Sequence, residues 1–300
     1  VKVNAVFFFE QLFNGLSIAS ILLLVALGLA LSFGLMRVIN MAHGEMLMVS
    51  GYLTYLSSQW LPGPGYLLLA FPIAFVGTAL LGMVLETTVI RRLYKRPLDS
   101  LLATWGISLI LQQAGRQIFG PTGVPVTVPG WLSGALNIGG VTIPHVRIFV
   151  IVLSALVLAG VALLLTRTSF GMHVRAVNQN REIAASLGVN TRRIDLMVFA
   201  LGSGIAGIAG VALALLSPVN PTVGQSYIVN AFLVVILGGI GSIVGTALSA
   251  ISLGFLTALS EGVTSVSLAK VIVLLFVIAF LQFRPKGFIT VRSRSLEEAT

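Results

Sequence analysis

The sequence predicts an all-α fold: a polytopic membrane bundle of about nine transmembrane helices (8–10) with one short coupling helix in a polar loop. Three observations lead there. Mean hydropathy is +1.03. Only 9% of the 300 residues are charged, against roughly 25% in soluble domains. Uncharged runs of bilayer-crossing length, about 20 residues, recur along the chain. A surface this apolar needs lipid to cover it. The chain reads as a single transmembrane domain over 1–300, with a coupling loop at 168–193 and a polar tail at 284–300.

The spans follow in order. Gln11 to Met36 carries no charge and fits the first. It is too long for a secretory signal and reads as an uncleaved helix. Between Glu45 and Arg91 the only charge is Glu86, and Pro62-Gly63-Pro64-Gly65 divides that length into two spans. Leu101–Gly115 and Ile148–Leu165 give two more. The uncharged run from Leu196 to Ser260 is too long for one or two crossings. Ser217-Pro218 and Asn220-Pro221 break it once, and Gly238-Gly239-Ile240-Gly241 breaks it again. A last span runs from about Leu268 to Phe283, with Lys270 free to snorkel.

Charge placement sets the expected orientation. The net charge of +9 is not one extended patch, so nucleic acid is not an expected partner. The cations fall in three clusters: Arg91, Arg92, Lys95, Arg96; then Arg167, Arg175, Arg181, Arg192, Arg193; then Arg284, Lys286, Arg292, Arg294. With nine spans all three lie on one side, the cytoplasm. Gly120–Thr142, rich in Pro and Gly and without charge, then lies outside. The N-terminus is expected outside and the C-terminus inside.

Five stretches stand out. In V38-I-N-M-A-H-G-E-M-L-M-V-S-G-Y52, Asn40, His43 and Glu45 sit between apolar runs. A carboxylate at mid-bilayer costs at least ~2.5 kcal/mol, so Glu45 either lines the substrate path or pairs with His43 or Arg37 to lock helices. Alternatively, the stretch is a short cytoplasmic turn, with Arg37 as a topology charge. The fourth span offers Trp105, Gln112 and Gln113 as path-lining or helix-bonding groups. G224-Q-S-Y-I-V-N230 offers Gln225, Ser226, Tyr227 and Asn230 in the same two roles. Its pattern of polar residues near a Gly before an apolar helix resembles A42-H-G-E-M, a hint of the internal repeats transporters use. In Thr168–Arg193, Val174, Val177, Ala184 and Leu187 recur at helical spacing and Gly188 can end the helix. The small Ala184-Ala185 face suits a groove on a protein partner. F199-A-L-G-S-G-I-A-G-I-A-G-V-A-L-A214 places small residues at spacings of three and four, the pattern of closely packed membrane helices. No cysteine, no second His near His43 and no nucleophile–base constellation is present, so no cofactor, metal or catalytic residue is expected.

These residues resemble a known family. I39-N-M-A-H-G-E-M, R175-A-V-N-Q-N-R-E-I-A-A-S-L-G188 and F199-A-L-G-S-G-I-A-G-I-A-G210 are similar to permeases of ABC importers, in the branched-chain amino acid permease family. L101-L-A-T-W-G-I-S-L-I-L-Q-Q113, Pro221-Thr-Val-Gly-Gln-Ser-Tyr-Ile-Val-Asn-Ala-Phe232 and Q282-F-R-P-K-G-F288 look most like the permease subunit of ATP-driven urea importers. The resemblance implies a multi-pass protein of the bacterial inner (plasma) membrane that works by alternating access. It implies two ABC ATPase subunits, a second related permease subunit in a heterodimer, and an extracytoplasmic solute-binding protein. The loop helix 172–188 would be the coupling helix, with Arg175, Glu182, Ala184, Ala185 and Gly188 toward the ATPases. Glu182, Ala184, Ala185 and Gly188 resemble the Glu-Ala-Ala…Gly signature of importer permeases, shortened and interrupted by Ile183. No G-x-x-x-x-G-K-[ST] phosphate loop occurs, so ATP would be hydrolysed by partners. Urea leads as the expected solute because the spans carry little charge. Leucine, isoleucine or valine is the alternative, since helix ends can serve an amino acid's charges. An ion-coupled transporter using His43 and Glu45 as a proton relay, or a passive urea channel, are the other readings.

Overall fold

The computed structural model describes residues 5–36, 38–94, 96–138 and 141–289. Arg37, Lys95, Arg292 and Arg294 lie outside the described residues. Among the described residues, nine helices of 16 to 32 residues form the bundle: α1 (Ala5–Met36), α2 (His43–Trp60), α3 (Tyr66–Thr88), α4 (Pro97–Phe119), α5 (His145–Arg167), α8 (Thr191–Ala214), α9 (Val223–Gly238), α10 (Ile243–Val263) and α11 (Val266–Phe283). Two short helices, α6 (Ser169–Gln179) and α7 (Arg181–Ser186), sit between α5 and α8. Six of the long helices are long and apolar enough to cross a membrane by length and composition. The remaining three are the polar-rich α2 and α4 and the 16-residue α9. The breaks fall where the sequence places them, at Pro62–Gly65, at Ser217–Pro221 and at Gly238–Gly241.

Local chemistry fixes the helix ends. Pro97 opens α4 at a position where a missing N–H costs nothing. Asn190, Ser242 and Ser265 cap α8, α10 and α11 by accepting from Arg193, Gly245 and Leu268 N–H groups. At the centre, α1 buries Leu24, Val25, Ala26 and Leu27 completely. α8 packs closely through its small residues: a Cβ on Gly202 would meet the Gly28 carbonyl oxygen of α1 at 2.5 Å, and one on Gly210 would meet the Leu47 carbonyl oxygen of α2 at 2.5 Å. Lipid is as apolar as leucine, so this association rests on close van der Waals approach, not on hydrophobic burial. The large apolar side chains left exposed, such as Leu68, Val76, Leu80 and Val84 on α3 and Val152, Leu156 and Leu163 on α5, face where lipid would lie.

Two connections re-enter the bundle from opposite ends. Gly28 of α1 lies against the His43 ring and the Gly202 carbonyl. α1 therefore continues eight residues, about 12 Å, past the level at which α2 begins, and the buried segment through Val38, Asn40 and Ala42 climbs back. α8 likewise runs on from Gly202 to Ala214 before 215–222 returns. Val219 on the way back packs on Gly51, two turns above the start of α2. The two returning segments deliver the first turns of α2 and α9 to the same place. A Cβ on Gly44 would stand 2.6 Å from the Gly224 carbonyl oxygen. From there the helices run apart, α2 toward Phe119 at the far end of α4, where Tyr52 stacks at 4.0 Å, and α9 toward Gly238.

Three local features were not foreseen. Gly120–Thr142 is partly ordered: β1 (Ala135–Ile138) pairs antiparallel with β2 (Val141–Pro144), with Ala135 opposite Pro144 and Ile138 opposite Val141, and Val124 bridges to Val219. The predicted single helix over 172–188 is two. Asn180 is extended (φ −153°) and its side chain accepts from the Glu182 and Ile183 N–H groups, because Asn serves better as a cap than inside a helix. Finally, Phe288 and Ile289 N–H groups donate to the Leu237 and Gly238 carbonyls at 2.8 and 3.2 Å, clipping the end of the described chain to the end of α9.

Candidate functional site

Glu45, in the first turn of α2, is 1% exposed. Its Oε1 accepts from Ser108 Oγ at 2.7 Å and from Gln112 Nε2 at 2.8 Å. Its Oε2 has no hydrogen-bond partner among the described residues. Ser100, Thr104, Ser108 and Gln112 form an inward polar stripe on α4, at the i, i+4 spacing of one helix face. Thr104 Oγ1 accepts from the Met41 N–H at 3.1 Å, so α4 holds both the re-entrant segment and the carboxylate that follows it. His43 Nε2 lies 3.4 Å from the Val25 carbonyl, to which it can only donate. His43 therefore ties α2 to α1, and neither it nor any described arginine is the partner of Glu45. Asn40 is buried at the foot of α2 with both side-chain polar atoms unpartnered among the described residues.

The first turns of α2 and α9, in contact at Gly44 and Gly224, carry no side-chain cap. Helix N-termini bear partial positive charge, although here the His43, Glu45 and Val223 N–H groups already donate to the Asn40, Ala42 and Asn220 carbonyls. The centre thus offers a carboxylate oxygen without a donor beside uncapped amide dipoles, groups able to hold an ammonium and a carboxylate respectively.

The other predicted path residues divide. Gln112 joins Glu45. Trp105 (48% exposed) and Gln113 are on the outside of α4, one position on from Thr104 and Gln112 and so turned about 100° from the inward stripe. Gln225 and Ser226 are exposed, and Ser226 Oγ bonds its own helix at Thr222. Tyr227 and Asn230 are half-buried. Sequence reading missed Ser108 and a cavity of about 340 Å³ at the end of the bundle opposite α6 and α7, lined by Gln11, Asn14, Ser17, Arg147, Leu216 and Glu261 among others. Arg147 donates to Asn14 Oδ1. Arg147 and Glu261 form no ion pair with each other. An isolated Arg and Glu at the ends of apolar runs were the available signal.

The predicted coupling residues occupy the other end. Arg175 donates to the Leu165 carbonyl, closing α6 against α5. Glu182, Ala185 and Gly188 are exposed, and Gly188 ends α7 at φ +86°, with Val189 N–H donating back to Ala184 at 3.1 Å. Ala184, expected to face a partner, is 3% exposed and packs into the bundle's own core. α7 turns Ala184 inward, into the same core cluster as Val174 and Val177, and Ile183 and Leu187 outward, 58% and 79% exposed. Beside them runs a groove of about 400 Å³ lined by Phe170, His173, Leu187, Arg193 and Met197 among others.

Two buried carboxylates anchor this end. Glu86 accepts from Arg91 Nε and Nη2 at 3.2 and 2.9 Å and from the Tyr94 hydroxyl at 2.6 Å. Asp195, on α8, accepts from both Arg181 Nη groups. The Arg181 guanidinium lies 5.7 Å from the Tyr94 ring centroid, joining the two pairs by a cation–π contact. Burial first, and then the bond to Glu86, push the Tyr94 hydroxyl well above its ordinary pKa, so it remains a donor at any working pH.

The chain matches the family model described as "Branched-chain amino acid transport system / permease component" over residues 11–281. It is 30% identical to the high-affinity branched-chain amino acid transport system permease protein BraD of Pseudomonas aeruginosa, over 94% of this chain and 95% of that one. It is 28% identical to the corresponding LivH of Escherichia coli (strain K12), over 94% and 96%. A ribose import permease, RbsC of the same strain, is 35% identical over 31% of each chain. No solved structure matches. None of these relatives is named for urea, the solute expected first; branched-chain amino acids, the alternative, stand in its place. Taken with a match that runs through both re-entrant connections and the α6–α7 loop, this chain belongs to the branched-chain amino acid transport system permease family.

Proposed function

We propose that the chain is the membrane permease subunit of an ATP-driven importer that carries leucine, isoleucine or valine. The observation that carries this reading is the near full-length similarity to BraD, whose name gives that solute class. The central geometry supports it: a zwitterion needs compensation for both charges, and Glu45 with the uncapped start of α9 supplies them. The solute would enter through the Arg147–Glu261 cavity and meet Glu45 at the α2–α9 junction as the two helices part. The sequence has no phosphate loop of its own, so the energy would come from two ATPase subunits, one of them seated on Ile183, Leu187 and the groove beside them. A second permease chain and an extracytoplasmic binding protein would complete the assembly. The α6–α7 end would face the cytoplasm of a bacterial inner membrane, with the N-terminus outside.

The test is reconstitution of the whole assembly in proteoliposomes with ATP inside. Labelled leucine accumulates, isoleucine and valine compete, and urea does not. Accumulation of urea instead would overturn the solute, and uphill uptake with the ATPase subunits left out would overturn the mechanism.

A further inference from the structure

We propose that the arginine-lined cavity at the α6–α7 end of the bundle is a binding site for the phosphate group of an anionic phospholipid. The cavity, about 570 Å³, is lined by Arg91, Arg92, Tyr94, Arg96, Arg181 and Arg192. Small-ligand pockets span roughly 300–1,000 Å³. Its walls come from three separate segments: the turn after α3, the start of α7 and the start of α8. Cations that only set topology need no common cavity; these converge on one.

The charge balance is incomplete. Five guanidinium groups meet three carboxylates: Glu86 takes Arg91, Asp195 takes Arg181, and Asp99 lies 3.7 Å from Arg96 on the surface. Arg92 and Arg192 have no carboxylate partner among the described residues. Guanidinium forks match phosphate oxygens, and the two engaged arginines are already held rigid by buried acids, which lowers the entropy lost on binding.

A lipid fits better than a soluble phosphate because of what begins at the cavity's edge. Arg96 immediately precedes α4, and Leu98, Leu102, Trp105 and Leu109, at 74%, 61%, 48% and 44% exposure, form one apolar stripe along the outside of that helix. A headgroup in the cavity would lay its acyl chain on this stripe. Trp105 lies about 10 Å along it from Leu98, at the depth where an acyl chain, not a headgroup, would pack on its ring. This also accounts for a tryptophan turned away from the polar interior. Through Arg181 and Tyr94, an occupied cavity would brace α7.

The test uses the complete chain purified with its partner subunits in mild detergent. Phosphatidylglycerol or phosphatidylcholine is added, and bound lipid is counted by native mass spectrometry. Phosphatidylglycerol is retained over phosphatidylcholine, and the double variant Arg92→Gln, Arg192→Gln reduces that retention at least tenfold, each arginine contributing about fivefold. Both substitutions spare the buried ion pairs, so folding is preserved; the single variant Arg92→Gln, with roughly fivefold loss, serves if the double variant assembles poorly. Equal retention of the two lipids, or no change in the variants, overturns the proposal. Displacement of the lipid by glycerol phosphate at equal concentration would show a soluble-phosphate site and overturn the lipid assignment. Loss of ATPase subunits from the variant with lipid retention unchanged would assign the arginines to a protein partner.

Discussion

Replacing Glu45 by Gln separates a carrier of substrate charge from a helix tie. Glu45 Oε1 holds two donors, Ser108 at 2.7 Å and Gln112 at 2.8 Å, while Oε2 holds none. The Gln amide oxygen can take the Oε1 position and keep both donors. Its NH₂ then occupies a place that already lacked a partner, and the cost of burying a charge, at least ~2.5 kcal/mol, disappears. Both bonds to Oε1 also weaken from charge-assisted to ordinary strength, which offsets most of that gain, so net stability should change by no more than about 1 kcal/mol. Transport should respond differently. A charge-assisted bond to an ammonium is worth about 1.5–3 kcal/mol, which at 1.36 kcal/mol per decade lowers uptake efficiency roughly ten- to hundredfold. Glu45→Ala, by contrast, strands the Ser108 hydroxyl and leaves Gln112 only its 3.1 Å bond to Ser108 Oγ, so at about 1–3 kcal/mol per stranded donor it should be the less stable variant. The assay is initial leucine uptake normalised to the amount of inserted protein, beside detergent melting curves. Glu45→Gln with normal uptake per molecule would refute a role in holding substrate and leave Glu45 as a strut between α2 and α4.

Other outcomes follow from the same geometry. Gly44→Ala places a methyl 2.6 Å from the Gly224 carbonyl oxygen; the helices must part at a cost of about 1–3 kcal/mol, seen as a lowered melting temperature, and a raised one would mean that the junction is loose. Ile183→Glu with Leu187→Glu should release the ATPase subunits while the permease stays folded; co-purification that survives would move the docking surface elsewhere. Arg147→Gln should raise the KM for leucine delivered by the binding protein with kcat little changed; equal loss in both would place Arg147 in folding, through Asn14, and not in entry.

Helix number and breaks were legible because they depend on run length and on Pro and Gly, which act locally. Facing was not. In water the buried side of a helix is the apolar side, but on α4 the lipid-facing Leu98, Leu102 and Trp105 are as apolar as any core residue, so burial followed a stripe of Thr, Ser and Gln that composition alone does not rank above Gln113. The Ala184 expectation failed for a related reason: a small face suits a foreign groove and the bundle's own core equally well. Glu45 was legible as unusual because a carboxylate in lipid demands a partner, yet Ser108 was too ordinary to be singled out. The meeting of Gly44 with Gly224 depends on two chain reversals at opposite ends, which no local pattern encodes.

The clip at Phe288 and Ile289 makes α9 a push-rod. One end of this 16-residue helix abuts Gly44 at the core; the other is fastened by main-chain bonds to residues that lead directly into the tail. A load that reaches Phe288 and Ile289, whether from a fused reporter, an immobilising tag or a bound protein, would be carried along α9 to the junction some 24 Å away. Fusions should therefore be spaced from Ile289 by a flexible linker, or placed elsewhere, if the cycle is to run unhindered.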